Sequence, residues 1–115
     1  MIGTDIIEIE RVAESAKNES FYKGVFTDCE RAYYDEHGKR AEILAGLFSA
    51  KEAVAKALGT GFSGFRPCDI EIFHTPEGAP KVRLLGRAKE KFPSAEVEVS
   101  ISHCKAYATA VAVIK

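Results

Sequence analysis

Several things are missing from this 115-residue chain, and each absence narrows what it can be. No stretch approaches the roughly 18 consecutive apolar residues that a membrane-spanning helix needs. The opening MIGTDIIEIER has no basic leader followed by a long apolar segment, so it does not read as a secretory signal and a cytosolic setting is expected. Cysteine is scarce: Cys29, Cys68 and Cys104 are odd in number, widely spaced and without a CxxC pair, which argues against a disulfide framework or a zinc site and for reduced thiols. Internal repeats, low-complexity stretches and linkers are absent as well. So is an excess of charge of either sign, since 16 Lys+Arg against 17 Asp+Glu leave a net charge of −1.

What remains is 46% apolar residues in a length that suits one domain over residues 1–115. A chain of this size buries roughly two-thirds of its unfolded surface, enough for a core without disulfide or metal staples. The balanced charge hides an asymmetry: residues 1–35 carry eight acids and four bases, whereas residues 36–115 carry nine acids and twelve bases. Lys81, Arg83, Arg87, Lys89 and Lys91 lie in one run with Glu90 as the single acid. That run is either a local attraction for phosphate or an acidic partner, or an ordinary solvated face.

Met1 to Ile7 reads as a strand, and Ile9, Val12, Ala13 and Ala16 follow at helical spacing. Thr27 and Glu30 have the spacing of a capping box, which predicts a helix of about ten residues stopping near Gly38. The longest helical pattern runs from about Arg40 to Leu58, with Gly59 available as its C-cap. Its apolar stripe is Ile43, Leu47, Ala50, Val54, Ala57 and Leu58, and Ala45, Ser49, Glu52 and Lys56 are expected together on the opposite side. Gly59 to Gly64 is a glycine-rich loop, but it follows a helix and lacks a GK[ST] ending, so it is not a phosphate-binding P-loop. Asp69 to Phe73 and Lys81 to Leu85 read as a hairpin around Glu77-Gly78-Ala79-Pro80. A short helix from about Arg87 to Phe92 and two strands, Glu96 to Ser102 and Tyr107 to Ile114, complete an α+β class, one long helix on a small, mainly antiparallel sheet.

Ser100, Ser102 and His103 do not make a hydrolase. In a strand Ser102 and His103 point to opposite faces, and no G-x-S-x-G elbow exists. His103 stands where a strand gives way to a turn and is either a ligand contact or a turn residue. Asp5 lies in an otherwise apolar strand, where a carboxylate needs a partner or a cation. With Glu52 it can offer the one or two protein carboxylates of a typical Mg²⁺ site, or it can simply cap the next helix. Glu52 and Lys56 are either part of such a site or an exposed i,i+4 ion pair.

Gly3-Thr4-Asp5-Ile6, Phe48-Ser49-Ala50-Lys51-Glu52-Ala53, Lys56-Ala57-Leu58-Gly59-Thr60-Gly61, Asp69-Ile70-Glu71 and Ser100-Ile101-Ser102-His103 together resemble the holo-acyl-carrier-protein synthases, in order, spacing and total length. The resemblance implies a 4′-phosphopantetheinyl transferase-like single lobe that moves 4′-phosphopantetheine from coenzyme A to a serine of apo acyl carrier protein in fatty acid biosynthesis. It implies release of adenosine 3′,5′-bisphosphate, a need for Mg²⁺, and a homotrimer with sites between subunits. Neither nucleic acid nor membrane is among the expected partners. Asp5 and Glu52 then match metal ligands, and Asp5, Glu52 and Lys56 the catalytic set. Lys56 would neutralise the departing pyrophosphate charge, and Glu52, directly or through a water, would take the serine proton. Coenzyme A contacts are implied at Ser49, Lys56, Gly61, Gly78, Pro80 and His103, and carrier contacts at Arg11 and Lys17 of the first helix. Two departures stand out. Leu47 occupies a position that is basic in many relatives, so that a phosphate contact is either missing or supplied by Lys51 or the 81–91 segment. The first helix also carries Glu8, Glu10 and Glu14 beside its bases. Competing readings are a non-catalytic carrier- or nucleotide-binding module and a Mg²⁺-dependent pyrophosphate hydrolase.

Overall fold

In the computed structural model, which describes residues 1–115, β1 (Ile2–Glu8) leads directly into α1 (Ile9–Ser15), followed by α2 (Glu19–Val25), α3 (Asp28–Glu36) and α4 (Ala41–Ala57). A single 3-10 turn at Pro67–Asp69 introduces β2 (Ile70–His74), which β3 (Pro80–Leu84) answers; α5 (Gly86–Lys91), β4 (Val97–His103) and β5 (Tyr107–Ile114) close the chain. The strands form a three-stranded antiparallel sheet in the order β1-β5-β4 and a separate β2-β3 hairpin. The predicted strands and the long helix are all present. The short α2 was not foreseen: its N-cap Asn18 accepts from Phe21 N–H, and its Phe21, Tyr22 and Val25 only partly bury against the core within seven residues, too short a span for a periodicity to read.

Register assigns the faces. Asp5 pairs with Ala110, which pairs with Ile101, so these three side chains share one face, as do Ile7, Ala108 and His103 in the next row. That face meets α4 through small residues. Ala108, Ala110 and Ala112 are buried, and a Cβ at Gly3 would lie 2.1 Å from the Ala53 carbonyl oxygen. Only a glycine lets β1 and α4 approach this closely, which is what brings Asp5 to the helix.

The two-sided reading of α4 is corrected by its burial. Eleven of its seventeen residues are buried, Ala45 and Ser49 among them, because the sheet, α1 and the β2-β3 hairpin surround it. The one buried charge on this helix is Lys51. Its Nζ lies 2.7 Å from Glu30 Oε1 and donates to the carbonyls of Pro67 (3.0 Å) and Ile70 (2.6 Å). Glu30 in turn closes the capping box with Thr27 and accepts the Ile72 N–H, so one pair ties α3, α4 and β2 together. Burial pushes the Glu30 carboxyl up and the Lys51 ammonium down, against the mutual attraction of the pair. Three acceptors around Nζ satisfy all three N–H bonds of an ammonium, so the pair is ionised.

Lys51 therefore has no free donor for a phosphate. Of the 81–91 bases, Arg83 pairs with Glu71 at 2.6 Å, while Lys89 and Lys91 donate to the carbonyls of Pro93 and Ser63.

Candidate active site

Four of the expected side chains converge where β1 crosses the C-terminal half of α4. Ser49 donates to Asp5 Oδ2 at 3.0 Å, and Lys56 Nζ reaches Asp5 Oδ1 at 3.3 Å while donating to the Thr4 carbonyl at 3.0 Å. Asp5 is thus not a helix cap; the N-cap of α1 is Glu8, which makes no side-chain capping bond. Nor do Glu52 and Lys56 form an exposed ion pair, because Lys56 turns to Asp5 instead. Glu52 is half-buried and engaged by no hydrogen bond or ion pair. Its carboxyl is pushed above the ordinary glutamate range, first by burial and then by the negative charge of Asp5, with Lys56 opposing. The Asp5 side chain is 13% exposed and that of Lys56 53%, so the cluster has a dry floor and an open mouth. No group of three or more His, Cys, Asp or Glu converges anywhere in the chain, so the donor set is a carboxylate pair rather than an all-protein cage.

A second feature sits at the other end of α4. A cleft of about 300 Å³ is lined by Arg40, Glu42, Ile43, Gly46 and Leu47 of that helix and its N-cap, by Tyr33 of α3, by His74, Gly78 and Pro80 of the hairpin, and by Ile101 and His103 of β4. Gly78, Pro80 and His103 were expected here. Arg40, Tyr33 and His74 were not, since they belong to the N-cap of α4, to α3 and to the end of β2, and only the tertiary fold gathers them. Leu47 presents an apolar surface to the cleft, and the cation nearest to it in the lining is Arg40, seven residues earlier. Ser49 and Lys56 lie outside the cleft. Gly61, with φ of +57° in the loop after α4, belongs to the Lys56 end, where its N–H donates to the Ala55 carbonyl. On α1, Arg11 is exposed and unpaired; Lys17, expected on the same helix, lies beyond its end at Ser15 and is tied to Glu14 at 3.0 Å on the surface.

A sheet of this topology wrapped on one long helix, with a carboxylate pair where the first strand meets that helix, defines a class, and the chain belongs to the 4′-phosphopantetheinyl transferase superfamily, whose family model matches residues 1–112. Within it the chain is 43% identical to the holo-[acyl-carrier-protein] synthase of Thermoanaerobacter sp. (strain X514), over 97% of this chain and 84% of that one. It superposes with a TM-score of 0.88 and 30% identity on the Helicobacter pylori holo-[acyl-carrier-protein] synthase solved in complex with coenzyme A, covering 100% of both chains. The Bacillus anthracis enzyme, solved with CoA (3′,5′-ADP), matches at 33% identity and a TM-score of 0.81, over 98% of this chain and 93% of that one.

Proposed function

We propose that this chain transfers 4′-phosphopantetheine from coenzyme A to a serine hydroxyl of apo acyl carrier protein, releasing adenosine 3′,5′-bisphosphate, with Asp5, Ser49, Glu52 and Lys56 as the transfer centre. The observation that carries this reading is the convergence of two carboxylates and a lysine on one half-buried spot, within a fold shared with enzymes of that name. The serine oxygen bonds to the phosphorus bearing pantetheine, and the pyrophosphate P–O bond breaks. Glu52, directly or through a water, takes the serine proton. Lys56 neutralises charge on the departing phosphate. Ser49, by donating to Asp5, fixes the orientation of that carboxylate.

The donor set fits a hard divalent cation, because Mg²⁺ usually takes one or two protein carboxylates and leaves its other positions to water and phosphate. Asp5 and Glu52 would hold it, and a bound Mg²⁺ supplies charge neutralisation for the pyrophosphate.

The cleft at Arg40, Gly78, Pro80 and His103 is the nucleotide end of the coenzyme site in this reading. It and the transfer centre occupy opposite halves of α4, about 15 Å apart at 1.5 Å per residue between Glu42 and Glu52. A homotrimer with sites between subunits lets the cleft of one subunit face the carboxylates of the next. In support, the outer face of the three-stranded sheet exposes Ile2 (67%), Ile6 (68%), Tyr107 (45%) and Val113 (41%), apolar side chains that a neighbouring subunit can cover. Arg11 on α1 and Lys17 just beyond its end are the carrier contacts, and the setting is cytoplasmic, consistent with three free cysteines.

The test is to incubate the protein with coenzyme A, Mg²⁺ and apo carrier and weigh the carrier by mass spectrometry. A gain of one phosphopantetheine supports the transferase. Adenosine bisphosphate without that gain makes the protein a hydrolase, and neither product makes it a binding module. Light scattering of a fully active monomer would overturn the trimer.

A further inference from the structure

Tyr33 and His74 line one wall of the cleft, and with His37 behind Tyr33 they form a stack of three rings that the transfer chemistry does not use. The Tyr33 and His37 ring centroids lie 4.0 Å apart at 24°, and those of Tyr33 and His74 3.9 Å apart at 8°. Two imidazoles stacked this closely on one phenol must take its opposite faces. The stack joins two segments that border the cleft. His37 Nδ1 donates to the Tyr33 carbonyl (2.7 Å), and the His37 carbonyl accepts from Arg40 Nε at 3.2 Å, so the ring stack sets the approach of the Arg40 guanidinium. On the other side His74 pairs with Pro80, and the Thr75 N–H donates to the Ala79 carbonyl, which fixes the turn carrying Gly78.

His74 is the sensitive member. Its Nδ1 is buried and has no hydrogen-bond partner. A proton there would be a buried donor without an acceptor, the costly arrangement for a polar group. Burial first, and the nearby His37 second, hold the imidazole below the ordinary histidine value. The groups facing this region are Cys29 and Glu36 from α3, His37 at its C-cap, Arg40 and Glu42 at the start of α4, Arg83 from β3 and His103 from β4. Arg83 is taken by Glu71, and Glu36 is exposed. No carboxylate bonds to His74 to stabilise its charged form.

We propose that the His37–Tyr33–His74 stack is a positioning device for the nucleotide end of coenzyme A: neutral and stacked, it holds Arg40 and the Gly78–Pro80 turn on the cleft, and protonation of His74 opens that wall. The inference rests on the reading of the cleft as the nucleotide end. It assigns Tyr33, His37 and His74 to substrate affinity rather than to the chemical step.

The test is calorimetric titration of adenosine 3′,5′-bisphosphate into the intact protein from pH 8 to pH 5.5, for wild type, His74→Phe and His74→Ala, with the fold of each checked by thermal denaturation. Phe keeps a stacking ring and removes the titration, so the wild-type to His74→Phe ratio of Kd cancels protonation of the ligand phosphates and of His103. The expected ratio is near one at pH 8 and rises above one in acid as the binding-competent fraction of wild type falls, staying below the roughly tenfold that an ordinary imidazole would give at pH 5.5. His74→Ala is expected to bind about tenfold more weakly than His74→Phe at every pH, because it removes the ring from the stack. A ratio that stays flat, or that falls below one in acid, would overturn the inference, the latter by making His74 a direct anion contact. Should His74→Ala fail to fold, the His74→Phe ratio alone decides. Binding with a flat ratio leaves the nucleotide reading intact and removes only the stack's role; no binding by wild type at any pH removes both.

Discussion

Lys51 and Glu52 are adjacent on α4, and the two regions they enter treat charge in opposite ways. Lys51 meets Glu30 at 2.7 Å with both side chains fully buried, and every donor and acceptor of the pair is used. Glu52 has no partner, lies beside a second carboxylate and shares a single half-exposed lysine with it. The first arrangement stabilises the chain only as a complete unit. The second leaves negative charge uncompensated at an open surface, where a cation and a phosphate ester can complete it. The contrast separates a lysine locked into the core from a glutamate left without a partner, one residue apart in the same motif.

The largest effect is expected from breaking the sealed side. Lys51→Met strands the Glu30 carboxylate in the core, at a cost of about 3–5 kcal/mol in urea denaturation. The double replacement Glu30→Met with Lys51→Met is expected to recover most of it. A single variant as stable as wild type would mean that the pair is not buried in solution. On the open side, Asp5→Ala and Glu52→Gln are each expected to lower transfer by roughly 10³-fold with the fold kept, measured as product per folded protein, and excess chelator is expected to do the same. Full activity in chelator would remove the metal. Lys56→Ala is expected to lower kcat by about 10²-fold with a smaller change in the KM for coenzyme A. Normal kcat would reduce Lys56 to a clamp on Asp5. The smallest effect falls on docking: Arg11→Glu is expected to raise the carrier KM roughly threefold at low salt, fading as salt rises and the screening length drops to ~8 Å. A carrier KM indifferent to both would make docking apolar.

Much of this was legible in the sequence because it depends on local chemistry. The Thr27–Glu30 capping box, the hairpin turn at Gly78 and the length of α4 follow from neighbouring residues, and the structure reproduces them. Asp5 stood out because a carboxylate in an apolar strand needs an explanation. Its partners could be foreseen only through the resemblance, since the bonds to Ser49 and Lys56 span 44 and 51 residues. The fate of Lys51 was not legible. A helix enclosed on nearly all sides has no outer face for periodicity to report, and its buried lysine is fixed by carbonyls at positions 67 and 70. The cleft was half legible: Gly78, Pro80 and His103 lie in recognisable turns and motifs, whereas Arg40, Tyr33 and His74 meet only when α3 docks on the hairpin.

The contrast between the two regions is tested most directly by thermal unfolding of Glu52→Gln against wild type, in chelator, from pH 8 to pH 4. A carboxyl whose folded-state pKa is raised binds its proton more tightly in the folded chain than in the unfolded one. Ionised Glu52 therefore costs stability above that raised value, and the cost disappears as pH falls through it toward the unfolded value near 4.5. The account predicts that Glu52→Gln melts above wild type at pH 7 to 8, that the difference shrinks toward zero near pH 4, and that Mg²⁺ in place of chelator raises the wild-type Tm more than that of the variant. A Glu52→Gln protein that melts below wild type at pH 7 would contradict it, because Glu52 would then be a satisfied structural charge like Lys51.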